Sequence, residues 1–342
     1  MRRAAASLIA RASLPLLTRL DPEFAHHTGL AGLNYLRPLL PPLKVPAALR
    51  VETLGLIFAH PVGLAAGFDK NGDYLDALGA VGFSHVELGT VTPRAQPGNP
   101  RPRMFRIARE RALINRMGFN NKGVDHLVDR LSVSTYAGIR GISIGKNFDT
   151  PLDIAHEDYV HCMRKVYAHA DYIAVNVSSP NTARLRELQA SDGLQRILGA
   201  LLEERETLAP RFGKRVALLV KVAPDLDAAQ ISTLAEDLRT LKIDGVIATN
   251  TTTNLSLLKA PPPAEVRGGL SGLPVHALSV AVIAQLRAAL GRAFPIIGVG
   301  GIVDAAHARA TLHAGATLLQ VYTGFAYRGA ALLDEILRDL SA

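Results

Sequence analysis

The chain has 342 residues, 48% of them hydrophobic, with 29 glycines and a formal net charge of +8. That size and apolar content fit one large or two small domains with ample core and exclude a compositionally disordered chain. A single cysteine, Cys162, excludes a disulfide framework and any cysteine-based metal site, and is compatible with a reducing compartment.

The positive charge does not amount to a nucleic-acid signature. Lys and Arg are scattered and no basic run is interleaved with aromatics, so the balance fits anionic small molecules or acidic lipid headgroups instead. The 11 histidines are dispersed and no metal constellation emerges. His26 and His27, adjacent on a helix, point to different faces, cannot share one ion from there, and read as surface residues.

Met1-Arg2-Arg3 followed by Ala4 to Ala12 resembles a weak signal or transit peptide, but its apolar core is short and Arg11 interrupts it, so it reads as retained sequence. Residues 8–37 read as two short helices. Asp21-Pro22-Glu23 starts the second with an N-cap, a proline at the first helical position and an acid in the first turn. Pro15 is expected to shorten or kink the first. The apolar faces, from Leu16, Leu17 and Leu20 to Phe24, Leu30, Leu33 and Leu36, fit two arrangements. One is a helical hairpin packed on its own domain; the other is an interfacial module lying on a membrane without crossing it. No apolar run approaches the roughly 20 residues of a spanning helix. Pro38, Pro41, Pro42 and Pro46 form a stiff linker, and Val51 to Phe58, around Gly55, reads as a small hairpin. The chain thus divides into a helical module with linker over residues 1–45 and a second domain over 46–342.

From Pro61 onward short apolar strands, near 62–66, 83–89, 139–145, 172–177, 216–222, 243–249, 295–299 and 316–321, alternate with helical stretches. These helices fall at 74–80, 119–131, 156–168, 194–208, 227–240, 275–290, 303–313 and 330–340. Eight such units make the α/β count of a (β/α)8 TIM barrel. A doubly wound open sheet competes, but no Gly-x-Gly-x-x-Gly follows the first strand.

In such a barrel, chemistry collects after each strand. The first is followed by Ala66-Gly67-Phe68-Asp69-Lys70-Asn71-Gly72, where small residues admit a flat ligand and Lys70 can meet an anion. Gly89-Thr90 follows the second, before a long Pro/Arg-rich excursion to Arg106 that returns through Asn115-Arg116-Met117-Gly118-Phe119-Asn120. Gly145-Lys146-Asn147 follows the third. After the fourth, Asn176-Val177-Ser178-Ser179-Pro180-Asn181 can hydrogen-bond a small planar polar molecule, although Ser, Pro and Asn are also ordinary turn residues. Lys221 stands at the fifth and Thr249-Asn250-Thr251 after the sixth. Gly300-Gly301 and Tyr322-Thr323-Gly324 follow the last two, where paired glycines before helix N-termini cradle phosphate. The Gly268-Gly269-Leu270-Ser271-Gly272 loop can add amide donors. Tight turns also use glycine, but the joint placement favours a phosphorylated cofactor.

Taken together, these segments resemble the dihydroorotate dehydrogenases of the membrane-associated, quinone-dependent class, from Leu20-Asp21-Pro22-Glu23 to Tyr327-Arg328-Gly329. Gly98-Asn99-Pro100-Arg101-Pro102-Arg103 is among the motifs that carry the likeness. The resemblance implies oxidation of dihydroorotate to orotate in pyrimidine synthesis, with one bound FMN and a ubiquinone or menaquinone as electron acceptor. It makes Ser179 the base that removes a proton beside the substrate carbonyl, while hydride leaves the adjacent carbon for the flavin. It assigns the substrate to Lys70, the segment Asn115, Arg116, Met117, Gly118 and Phe119, and Asn176, Asn181, Asn250 and Thr251. It assigns the flavin to Ala66, Gly67, Phe68, Asp69 and Lys70, then Thr90, Asn147, Asn176, Lys221 and Thr249, with Gly272, Gly301, Tyr322 and Thr323 on the phosphate side. Arg106 and His26 would stand near the quinone, and no metal is implied.

Soluble relatives carry Cys as the base and lack the N-terminal helices; here the matching position is Ser179. The resemblance therefore implies a monomeric, peripheral protein on the cytoplasmic face of a bacterial inner membrane, without nucleic-acid partners. Removal of residues 1–37 is expected to impair quinone use and spare flavin reduction. A flavin-free aldolase or isomerase barrel, or a barrel that only binds membrane surfaces, are the readings from other classes. Retention of Ser179, Lys70 and the asparagine set speaks against the last.

Overall fold

The structure is a computed structural model, and it describes residues 16–40, 42–182, 185–189, 191–263 and 265–342. The expectations for residues 1–7, for Pro15 and for most of the first helix lie outside these residues. Helix α1 (Pro22–Leu36) starts as expected: Asp21 accepts from the Phe24 N–H at 2.9 Å, Pro22 opens the helix and Glu23 lies in the first turn. Next come β1 (Val51–Thr53) and β2 (Leu56–Phe58), an antiparallel hairpin whose turn residues Leu54 and Gly55 both take positive φ.

The chain then enters β3 (Val62–Leu64), α2 (Leu75–Val81) and β4 (His85–Val91), followed by β5 (Met104–Ile107), β6 (Ala112–Asn115) and α3 (Val124–Val133). It continues through β7 (Ile139–Ile144), α4 (Ala155–Val166), β8 (Tyr172–Asn176), α5 (Ser191–Phe212), β9 (Ala217–Val222) and α6 (Ala228–Thr240). The last third holds β10 (Gly245–Ala248), β11 (Gly269–Gly272), α7 (His276–Leu290), β12 (Ile296–Val299), α8 (Ala305–His313), β13 (Leu318–Val321), α9 (Thr323–Arg328) and α10 (Ala330–Leu340). Strands β3, β4, β7, β8, β9, β10, β12 and β13 close into one parallel barrel, each beside the next, with β13 pairing back to β3. This is the (β/α)8 architecture expected.

The strand period of two sorts the core. Tyr172 and Ala174 of β8, Leu219 of β9, Ile247, Ile297 and Leu318 fill the barrel interior, and Phe58 of the hairpin plugs its amino-terminal end. The intervening residues, Ile173, Val175, Leu218 and Val220 among them, face the surrounding helices. The same alternation aims Asn176 and Lys221, which pair across β8 and β9, inward at the carboxyl end.

Two expected loops are strands. The excursion after β4 contains β5 and β6, and the glycine-rich loop contains β11; the three form an antiparallel sheet beside the barrel mouth. Their sequences hide this, because β11 is half glycine and the others are too short for a clear alternation. The six-residue α9 is likewise too short for a helical period. One window, Leu273–Leu290, is long and apolar enough to cross a membrane by composition, with mean hydropathy 1.5, contrary to the expectation that none comes close. It contains α7, whose Val282, Ile283 and Leu286 are buried in the barrel's outer core.

Candidate active site

The carboxyl ends of the barrel strands surround a polar cavity. Ser179, Asn115, Asn176, Asn181, Asn250, Thr251 and Lys70 line one side of it, with Met117, Gly118 and Phe119. Ala66, Gly67, Thr90, Lys221 and Thr249 line the floor, and Gly272, Gly301, Tyr322 and Thr323 the far end. Residues scattered over more than 250 positions are thereby brought to one place.

Four of the expected residues lie elsewhere. Arg116 turns outward and donates twice to the Pro102 carbonyl, at 3.1 and 2.9 Å. Asn147 is buried, but its amide is consumed by Thr92, Arg94 and Gln96 in the loop beyond β7; the β7 side chain that meets Thr90 is Ser143, at 2.9 Å. Asp69 faces its own turn and accepts from the N–H groups of Asn71, Asp73 and Tyr74. Phe68 packs its ring on His26, Tyr322 and Phe325, on the side away from the cavity.

On the Ser179 side the amides hold one another. The Asn181 side chain donates to Asn115 Oδ1 at 3.2 Å, and Asn250 donates to Ser178 Oγ at 3.0 Å. Asn176 donates to Thr90 Oγ1 at 2.8 Å and takes the Ser178 hydroxyl at 3.2 Å. Ser179 Oγ accepts from the Asn181 N–H at 3.3 Å, and the Thr251 hydroxyl is buried with no protein partner. A planar ligand rich in carbonyl and N–H groups would find donors and acceptors preset on its edge.

Lys70 lines the same cavity as these amides, and its ammonium donates to the Gly67 carbonyl at 3.1 Å. Burial pushes it down to about 8, Glu23 and Asp69 push it up, and Arg103 adds to the lowering. Beneath the cavity, Lys221 pairs with Glu87 at 3.0 Å, both side chains buried. Glu87 also accepts from the Tyr172 hydroxyl at 3.2 Å and the Gln320 amide at 2.8 Å. Neither Glu87 nor Gln320 is signalled by the sequence beyond an isolated polar residue in an apolar strand; their inward phase alone could have flagged them.

The far end is shaped by glycine. Gly301 has φ +68°, and a Cβ there would stand 2.5 Å from that of His276; at Gly272, φ +98°, it would stand 2.3 Å from the Arg111 carbonyl. With positive φ and protein atoms this close, only glycine fits at either position. Asp304, which caps α8, and the start of α9 follow directly.

A second, apolar channel of about 420 Å³ runs between α1 and the barrel. Tyr322 lines both spaces, and His26 and Arg106 line the channel. His27 is exposed as expected, while His26 is half-buried: desolvation pushes the His26 imidazole down to about 3, and its ring stacks edge-on against Phe68. Arg106 donates to the Thr18 and Leu20 carbonyls at 2.8 and 3.0 Å, tying β5 to the segment before α1.

A closed parallel barrel with its polar cavity at the strands' carboxyl ends defines an α/β-barrel enzyme. The family profile for dihydroorotate dehydrogenase matches residues 48–342. A dihydroorotate dehydrogenase (quinone) from Aromatoleum aromaticum is 52% identical over 95% of this chain and 93% of its own length. Its namesake from Burkholderia pseudomallei is 51% identical, covering 97% of both chains. The ligand-free structure of the Eimeria tenella enzyme superposes with TM-score 0.83 at 36% identity, covering 94% of both chains. The chain belongs to the dihydroorotate dehydrogenase family, in its quinone-dependent class.

Proposed function

We infer that the polar cavity is where this enzyme oxidises dihydroorotate to orotate for pyrimidine biosynthesis, a quinone taking the electrons. The observation that carries the reading is the grouping of Ser179 with Lys70 and the four asparagines at one end of a cavity whose other end is a glycine cradle. Family membership supports the substrate and the quinone directly; FMN and the residue roles are our proposal.

The cavity fits FMN. Gly272 and Gly301 line one end with backbone and no side chain, Thr323 and Tyr322 line it beside them, and Lys221 with Thr90, Asn176 and Thr249 provides polar floor. When bound, FMN supplies the hydride acceptor and the relay to the quinone. The residues of the chain do the rest. Asn115, Asn176, Asn181 and Asn250 orient the pyrimidine edges, Thr251 assists them, and Lys70 meets the carboxylate. Ser179 Oγ, passing its own proton to water, takes the proton beside the carbonyl. A serine is a weak base, and the Asn181 N–H favours its deprotonated form by donating to it. Glu87 anchors Lys221 so that its charge is fixed beneath the cofactor site, where preorganised charge acts without reorganisation.

Residues 1–45 form, in this reading, the quinone-access module on the catalytic domain 46–342. The apolar channel takes a ubiquinone or menaquinone, with His26 and Arg106 in its wall. Leu16, Leu20, Phe24, Tyr35 and Leu39 are exposed on this module, a surface suited to lipid and to peripheral attachment at the cytoplasmic face of an inner membrane.

Ser179→Ala tests the base. The variant is expected to retain FMN while anaerobic flavin reduction by dihydroorotate slows by about 10²-fold or more. Reduction at a near wild-type rate would overturn the assignment.

A further inference from the structure

Helix α1 belongs by position to the quinone-side module, yet its first turn reaches the substrate side. Glu23 is buried, and Arg103 clasps it: Nε lies 3.2 and 3.1 Å from its two carboxylate oxygens and Nη2 lies 2.7 Å from Oε1. Arg101 adds a contact at 3.1 Å. Burial works to raise the Glu23 carboxyl, but the two arginines outweigh it and hold it below the ordinary range.

Arg103 uses its remaining donor on the loop before β5, giving Nη1 to the Pro97 and Asn99 carbonyls at 2.6 and 2.9 Å. Asn99 in turn donates its side-chain amide to the Arg116 carbonyl at 2.9 Å and to the Asn181 carbonyl at 3.1 Å. Asn181 bonds both Ser179 Oγ and Asn115. The loop has no slack against this surface. A Cβ on Gly98 would sit 2.2 Å from the Met117 carbonyl, and one on Gly118 would sit 2.8 Å from Asn99 Cγ.

We propose that Glu23 is a positioning residue for the substrate: through Arg103 and Asn99 it sets the placement of Asn181 beside Ser179. The N-terminal module is then part of the dihydroorotate site as well as the route to the quinone. The inference rests on the function proposed above. It also revises the sequence-based expectation that loss of residues 1–37 spares flavin reduction, because that deletion removes Glu23 and leaves Arg103 buried without its partner.

The test uses the full-length, FMN-loaded enzyme and its Glu23→Gln, Asn99→Ala and doubly substituted variants. Orotate affinity is read from the flavin absorbance perturbation. Reoxidation of dithionite-reduced flavin by a short-tailed quinone is read separately. Each single substitution is expected to weaken orotate up to about tenfold, the scale of one misplaced hydrogen bond. The double variant should be no weaker than the worse single one, the signature of a shared route. Reoxidation should stay within twofold, which general unfolding would not allow. Orotate affinity unchanged in Glu23→Gln, or losses that simply add in the double variant, would overturn the proposal. If Glu23→Gln does not fold, Asn99→Ala decides alone, since it touches no residue of α1: normal orotate affinity there overturns the route. A wild-type enzyme that binds no orotate would instead overturn the function on which the inference rests.

Discussion

At the scale of single residues, two charges at the cavity, Lys70 half-buried and Glu87 fully buried, test the proposed function. Lys70 has an ammonium pushed down to about 8, chiefly by burial. Glu23, Asp69, Arg103, His26 and His27 are the charged or titratable groups around it. It is cationic below that pH and neutral above it, so affinity for the orotate carboxylate should be full in mildly acidic solution. It should then fall as pH rises through about 8. A titration of orotate binding against pH checks this; a break only near the ordinary lysine value of about 10.4 would contradict it. Glu87 is the second. Glu87→Gln keeps the shape but leaves Lys221 without its counter-charge in the barrel interior, and should cost about 3–5 kcal/mol in a denaturant titration. A cost under about 1 kcal/mol would mean that the pair behaves like a surface one. Lys221 was legible in the sequence from its place at the end of a strand. Glu87 was not, because its role exists only through pairing with a residue 134 positions away. Asn147 shows the converse: an asparagine after a strand looked like a ligand contact, and the loop's own hydrogen bonds absorb it.

At the scale of elements, the glycine that ends β11 and the one that follows β12 carry the most specific demand. Gly301→Ala would force a side chain to φ +68° and into His276. It should cost at least about 1–3 kcal/mol and weaken FMN, measured by thermal melting and by the recovery of flavin fluorescence on dilution. Unchanged FMN affinity would remove Gly301 from the cradle. The barrel strands and their helices were readable because each buried strand is a short apolar run bounded by turn residues and each helix shows one apolar face. The sheet of β5, β6 and β11 was not, because its partners are distant in sequence and β11 is glycine-rich. That sheet matters, since it carries Asn115 and Gly272 to the cavity.

At the scale of the molecule, the two cavities meet at Tyr322, and the module that shapes the apolar one is locked to the barrel by the buried Glu23–Arg103 pair. The sequence revealed a helical module and a barrel as separate pieces. It could not reveal that an acid at the start of α1 is held by a loop some 80 residues later. In the proposed function, one chain joins dihydroorotate oxidation to quinone reduction through a flavin. An anaerobic absorbance spectrum of the purified protein, taken before and after dihydroorotate and again after a ubiquinone analogue, tests it most directly. The flavin band should bleach with dihydroorotate and return with the quinone. A flavin that dihydroorotate cannot bleach, or a protein that takes up no FMN, would contradict the account.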